Sequence, residues 1–203
     1  MDRQNKIVVL PTSQDQRLAS AVQTYVAGDY VSALSQLKLL IDNGCNEANS
    51  YVGNIYESGG KGVVPDIDKA VFYYQRSIEE CGDVEAYLGL GRIYFYGDGS
   101  NGEYEKAFEY YSKIAQESGR PVAHLMLGRM YDLAKGVRRG VKEAKEHYAV
   151  AAAMGNVFAI KNLGLLEIET GNYMKGMFLR IKAVLMGLIL SIKDLGDSRL
   201  RSC

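Results

Sequence analysis

The sequence predicts an all-α chain: a right-handed α-α solenoid of about five helical hairpins plus a C-terminal capping helix. Three observations carry that reading. Glycines at 53, 91, 128 and 164 recur 38, 37 and 36 residues apart, each inside the same apolar frame. A second series follows them in phase: Lys69-Ala70, Lys106-Ala107, Glu143-Ala144 and Lys175-Gly176. A third marks unit ends at Gly44, Gly82, Gly119, Gly155 and Gly187. Registers that repeat together at this period denote stacked supersecondary units, each too small to bury its own apolar face.

The elements follow in order within one domain, 1–203. Residues 1–13 form a tail. Ser13-Gln14-Asp15-Gln16 has the form of a capping box, and Leu18, Ala21, Val22 and Tyr25 then make one helical stripe. Ala27-Gly28-Asp29-Tyr30 turns the chain, and Val31, Leu34, Leu37, Leu40 and Ile41 line the partner helix, so 14–44 is a short-loop hairpin. The repeats proper are 45–82, 83–119, 120–155 and 156–187. In the first helix of the first three repeats a small residue, an aliphatic, glycine and an aromatic fall at i, i+4, i+5 and i+8, as in Ala48, Val52, Gly53 and Tyr56. A helical glycine costs up to ~1 kcal/mol against alanine, so its recurrence calls for a closely approaching partner. The second helices carry Ala70, Phe72-Tyr73-Tyr74 and Ile78, then Ala107, Phe108, Tyr110-Tyr111 and Ile114, then Ala144, His147-Tyr148 and Ala151-Ala152. The tyrosines thus read as packing residues. Residues 188–203 are expected to form a separate amphipathic cap with Leu188, Ile189, Ile192 and Leu195.

The pattern A-x-x-x-L-G-x-x-Y, then G-x-G-V-x-x-D-x-x-K-A, resembles the Sel1-like repeat, a relative of the tetratricopeptide repeat with a longer loop inside the hairpin. Lys61-Gly62-Val63-Val64-Pro65-Asp66-Ile67-Asp68-Lys69-Ala70 is the best copy of the loop. Lys135-Gly136-Val137-Arg138-Arg139-Gly140 lacks the Asp, and Gly97-Asp98-Gly99 to Lys106-Ala107 is a further variant. In the last unit Glu167 stands in place of Tyr, and Thr170-Gly171-Asn172-Tyr173 shortens the loop. The resemblance spans about Cys45 to Gly187. It implies a non-enzymatic scaffold or adaptor that mediates protein–protein interactions through a concave groove. The alternative it implies is an accessory protein of a bacterial envelope, polysaccharide or secretion system, acting through the apolar, basic C-terminal end.

Composition narrows the function classes. Hydrophobic residues at 47% and charged residues at 24% describe a globular chain. Lys+Arg and Asp+Glu are 24 each, which disfavours a general nucleic-acid binder. Three cysteines without close pairing and two histidines make no zinc motif, and the odd thiol count suits a reducing compartment. The apolar run Ile7–Leu10 is too short for a secretory signal, and Met177–Ile192 is broken by Arg180, Lys182 and Gly187. A cytoplasmic protein without cofactor or metal is expected. No catalytic constellation stands out: His124 and His147 lie on different helices without a nucleophile at elbow spacing. Gly97-Asp98-Gly99-Ser100-Asn101-Gly102 lacks the Lys-Ser/Thr of a phosphate loop.

Candidate contact residues flank the repeat glycines. One residue after each lie Asn54, Arg92, Arg129 and Leu165, and three before lie Ser50, Leu88, Leu125 and Lys161. The two arginines would suit a carboxylate-bearing peptide, which guanidinium binds bidentately. Residues 1–134 hold 12 basic and 18 acidic groups, whereas 135–203 hold 12 and 6. That asymmetry points to an anionic partner at Lys135, Arg138, Arg139, Lys142 and Lys145. The C-terminal stretch, with Phe178, Ile181, Leu188, Ile189 and Ile192, is expected to mediate self-association as a homodimer.

Overall fold

The structure, a computed structural model, describes residues 13–97 and 103–196, with side chains as far as Ser191. Among the described residues there are ten helices and no extended strand. They are α1 (Ser13–Val26), α2 (Tyr30–Asp42), α3 (Ala48–Ser58), α4 (Ile67–Cys81), α5 (Val84–Tyr96), α6 (Tyr104–Glu117), α7 (Pro121–Leu133), α8 (Val141–Ala153), α9 (Val157–Glu169) and α10 (Tyr173–Gly196). The chain divides into two compact units, one ending at Ile93 and one beginning at Tyr94. In the first, α1 packs on α2, α2 on α3 and α3 on α4. In the second, α6 packs on α7, α7 on α8, α8 on α9 and α9 on α10. This is the all-α architecture of hairpins in sequence order that the registers predict.

The repeat glycines are where large rings enter. Tyr74, Tyr111 and Tyr148 recur every 37 residues and all three are buried. A Cβ on Gly53 would lie 2.7 Å from the Tyr74 ring, and one on Gly128 would lie 2.5 Å from the Tyr148 ring. Gly89 on α5 meets the same ring, where a Cβ would collide with Tyr74 Cζ, so glycines of two helices make room for it. In the last pair the crossing is backbone on backbone: a Cβ on Gly164 would come 2.9 Å from the Gly176 carbonyl oxygen.

A second packing device repeats beside the first. Tyr56 stacks on Tyr73 with centroids 5.8 Å apart, Tyr94 on Tyr110 at 5.7 Å, and Tyr131 on His147 at 5.8 Å. Lys69 and Lys106 place their ammonium groups 5.3 and 5.1 Å from the Tyr56 and Tyr94 centroids. The recurrent Lys-Ala pair therefore has a physical basis. The alanine is buried against the neighbouring helix, and the lysine sits over a ring face. The hairpin loop ends on Asp66, whose carboxylate accepts from Lys69 N–H at 3.0 Å and caps α4.

One boundary differs from the sequence reading. Gly44, Gly82, Gly119 and Gly155 take positive φ and end their helices, but Gly187 does not. Instead α10 runs unbroken from Tyr173 to Gly196, so a separate cap beginning at 188 is absent. Leu, Met and Ile on both sides of Gly187 are strong or fair helix formers, and they outweigh the cost of one helical glycine. The tail 1–12, the glycine-rich run 98–102 and the Ile192 and Leu195 side chains lie outside the described residues.

Candidate functional site

The first unit holds a groove of about 590 Å³ lined by Leu18, Tyr25, Glu47, Ser50, Tyr51, Asn54, Cys81, Asp83 and Glu85. Ser50 and Asn54, two residues of the expected ladder, are on its wall; Leu88 is buried and presents nothing. Tyr25 and Tyr51 meet edge to face, with centroids 5.8 Å apart. Burial first, and the neighbouring Tyr30 next, push the Tyr25 phenol above its ordinary pKa, so it stays protonated. Desolvation also pushes up the Cys81 thiol at the rim, which keeps it from acting as a thiolate nucleophile.

Arg92 is not free to receive a ligand carboxylate. Its Nε and Nη2 donate to Glu57 at 2.5 and 2.6 Å, a bidentate pair. Glu57 Oε2 also accepts from the buried Tyr74 hydroxyl at 2.7 Å, and Asn54 Oδ1 lies 3.0 Å from the same hydroxyl. The guanidinium thus locks α5 to the end of α3 through the central tyrosine. What the groove offers instead is three carboxylates, Glu47, Asp83 and Glu85, beside two rings. Of the expected carboxylate-binding ladder, Arg92 is engaged within the fold by Glu57. Glu47, Tyr51, Asp83 and Glu85 escaped the sequence reading because the groove is wider than the single helical stripe followed there.

The second unit repeats the lesson. Arg129 donates from Nη1 to the Tyr96 hydroxyl at 3.0 Å and sits 5.4 Å from the Phe95 centroid. Leu125 is half-buried, and of the ladder positions Lys161 and Leu165 are exposed on α9. The expected basic patch is mixed: Lys135 and Lys145 are partly covered, whereas Arg138, Arg139 and Lys142 are exposed. Lys135 donates to the Tyr104 hydroxyl at 2.7 Å, Arg139 to Glu169 at 2.5 Å, and Lys145 to Glu167 at 2.8 Å. Lys142 lies 4.0 Å from Glu146, and both Lys142 and Arg138 are exposed. Lys135, Arg139 and Lys145 thus tie neighbouring parts of the second unit together.

Glu167, which replaces the repeat tyrosine, is the hub of the shortened loop. Its carboxylate accepts from Lys145 Nζ at 2.8 Å, Lys175 Nζ at 2.6 Å and Asn172 Nδ2 at 2.8 Å. Those donors hold its pKa at about 2, with the Lys145 hydrogen bond the largest cause. Almost none of its surface reaches solvent, because its own partners cover it close to the protein edge.

The two histidines are brought together, which spacing alone did not reveal. His124 on α7 and His147 on α8 place their Nδ1 atoms 3.1 Å apart, one ring donating to the other. Desolvation lowers both pKa values below the ordinary 6.5, and His124 lowers that of His147 further. The unfolded chain therefore takes up protons first. The stability held by this pair is complete above pH ~6.5 and falls as the pH drops from there toward the lowered folded values. Urea midpoints at pH 7.5 and 5.5 should differ more for wild type than for His147→Tyr, which restores the ring found at Tyr73 and Tyr110. Equal differences would remove the histidine pair as the cause. No group of three or more His, Cys, Asp and Glu among the described residues is placed to hold a metal.

At the C-terminal end, α10 exposes Phe178, Ile181, Leu188 and Ile189, the residues expected to self-associate. No helix among the described residues is long and apolar enough to cross a membrane.

With this geometry in hand, comparison with known proteins is informative. The Sel1 repeat family model matches residues 46–80, 84–118 and 121–156. No curated protein sequence matches the chain. A Sel1 repeat protein from Oxalobacter formigenes superposes with a TM-score of 0.68 at 24% identity, over 85% of this chain and 67% of that one. The protective antigen c5321 of uropathogenic Escherichia coli, described as having an SLR fold, gives 0.63 at 22% identity over 90% of this chain. The chain spans about half of c5321, 49% of its length. MamA gives 0.59 at 20% identity, over 90% of this chain and 99% of that one. At these identities the likeness is one of fold.

Proposed function

The chain belongs to the Sel1 repeat family, and from that premise we propose that it is a non-enzymatic scaffold whose groove in the first unit holds a segment of another protein. The observation that carries this reading is the groove itself, where Tyr25 and Tyr51 stand beside Glu47, Asp83 and Glu85. Tyrosine faces attract cations, and carboxylates at the same wall add to that attraction. The occupant is accordingly an extended segment bearing Lys or Arg, opposite in charge to the one the arginine ladder suggests. Its setting is the cytoplasm of a bacterium, and the repeats act as an adaptor between partners.

Fluorescence anisotropy with short Lys/Arg-rich and Asp/Glu-rich peptides tests this. The basic peptide is expected to bind, and Tyr51→Ala and Glu47→Lys should each weaken it by about tenfold, the size of ~1.4 kcal/mol. Preference for the acidic peptide, or indifference to both substitutions in folded protein, would defeat the reading. The exposed α10 face favours a second reading, in which the C-terminal end makes the working contact, with a second copy of the chain or with envelope or secretion machinery.

A further inference from the structure

We propose that the face formed jointly by α9 and α10 is a docking surface for an amphipathic helix with acidic flanks. This rests on the reading of the chain as an interaction scaffold and names a second site, within the second unit. The helix α10 is apolar on two opposite sides. Gly176, Leu179 and Ala183 turn toward α9, where Gly164 and Gly176 cross. About half a turn away, Met177, Phe178, Ile181, Val184, Leu185 and Leu188 are each more than half exposed. At ~100° per residue these six fall within an arc of about 120°. Contiguous apolar surface of this kind marks an interaction site, unlike apolar residues scattered singly.

Two further observations identify the occupant. The face is concave where α9 meets α10: Val157, Phe158 and Lys161 oppose Arg180, Ile181 and Val184 around a depression of about 510 Å³. Phe158 is 69% exposed at its edge. Such a depression accepts the side chains of a helix at i, i+3 or i+4, and i+7, whereas a flat lipid surface would leave it unfilled. The rim is cationic. Lys161, Arg180 and Lys182 have no carboxylate partner among the described residues, and α10 has no Asp or Glu before Asp194. The nearest acids of α9 are occupied, Glu167 by two lysines and Glu169 by Arg139. Arg180 and Lys182 flank the apolar arc on opposite sides. In a two-fold pairing of α10 with itself, cation meets cation along the rim whether the helices run parallel or antiparallel. An acidic-flanked helix meets the same rim with attraction, which favours it over a second copy.

The test uses the full chain and a labelled helical peptide of about five turns, with a leucine stripe and Glu on both flanks, beside a twin with Lys on the flanks. The Glu peptide is expected to bind saturably, at least tenfold tighter than the Lys twin. Ile181→Asp with Leu185→Asp should abolish binding, and Lys161→Glu with Arg180→Glu should invert the preference. Circular dichroism and basic-peptide binding at the first-unit groove should be unchanged in all variants. That second readout separates failure here from failure of the scaffold reading. Failure of the Glu peptide to saturate by about 100 µM, or equal affinity for both, overturns the proposal. So does wild type that dimerises through Ile181 and Leu185 without taking peptide. Co-sedimentation with phosphatidylglycerol vesicles in place of peptide binding overturns it in favour of a membrane.

Discussion

Gly128→Leu should lower the thermal midpoint by roughly 2–12 °C, because Gly128 is buried at a helix crossing. A Cβ at 128 would already lie 2.5 Å from the Tyr148 ring. That ring cannot step aside: it is buried at 1% exposure, and its hydroxyl is directed at Asp132 Oδ2, 3.4 Å away. Burial and the Asp132 charge also push the phenol well above its ordinary pKa, so it remains a neutral hydroxyl in the core. Overpacking of this kind costs ~1–3 kcal/mol before the α7–α8 spacing adjusts, and each kcal/mol moves a chain of this size by about 2–4 °C. Tyr148→Ala alone should also destabilise, by ~3–5 kcal/mol, through the cavity it leaves. The double substitution should be less harmful than the sum, since leucine can enter the space the ring vacates. A Gly128→Leu protein with the wild-type midpoint would show that the ring does not occupy that crossing.

Glu167→Gln is expected to cost about 2 kcal/mol at neutral pH. The shift of the carboxyl from 4.5 to about 2 would by itself amount to roughly 3 kcal/mol. Lys175, 63% exposed, is screened by water and returns less of that. Because the folded pKa lies below the unfolded one, this contribution is complete above pH ~4.5 and is lost as pH falls from there toward 2. Denaturant midpoints for wild type and Glu167→Gln should therefore stand apart at pH 7, draw together through pH 3 and converge near pH 2. A gap that persists unchanged into acid would mean that the carboxylate charge is not what holds the short loop.

The sequence by itself determined what periodicity can determine. Residues at i, i+4, i+5 and i+8 share a helix face in any fold, so Ala48, Val52, Gly53 and Tyr56 could be assigned to one buried stripe from spacing alone. The 37-residue recurrence of Tyr74, Tyr111 and Tyr148 likewise announced a repeated core. Only the tertiary structure decided which charges remain available. Arg92 closes on Glu57, 35 residues away, and Lys145 on Glu167, 22 residues away. Such pairs depend on which helices become neighbours, and on rotamers chosen after packing. Arg92 of the expected ladder and Lys145 of the expected patch therefore serve as internal ties, three carboxylates line the groove beside Ser50 and Asn54, and two histidines 23 residues apart came within hydrogen-bond distance. The run through Gly187 was decided in the same way. Whether a glycine ends a helix depends on its φ, and flanking helix formers, with α9 packed along one side, kept this one helical.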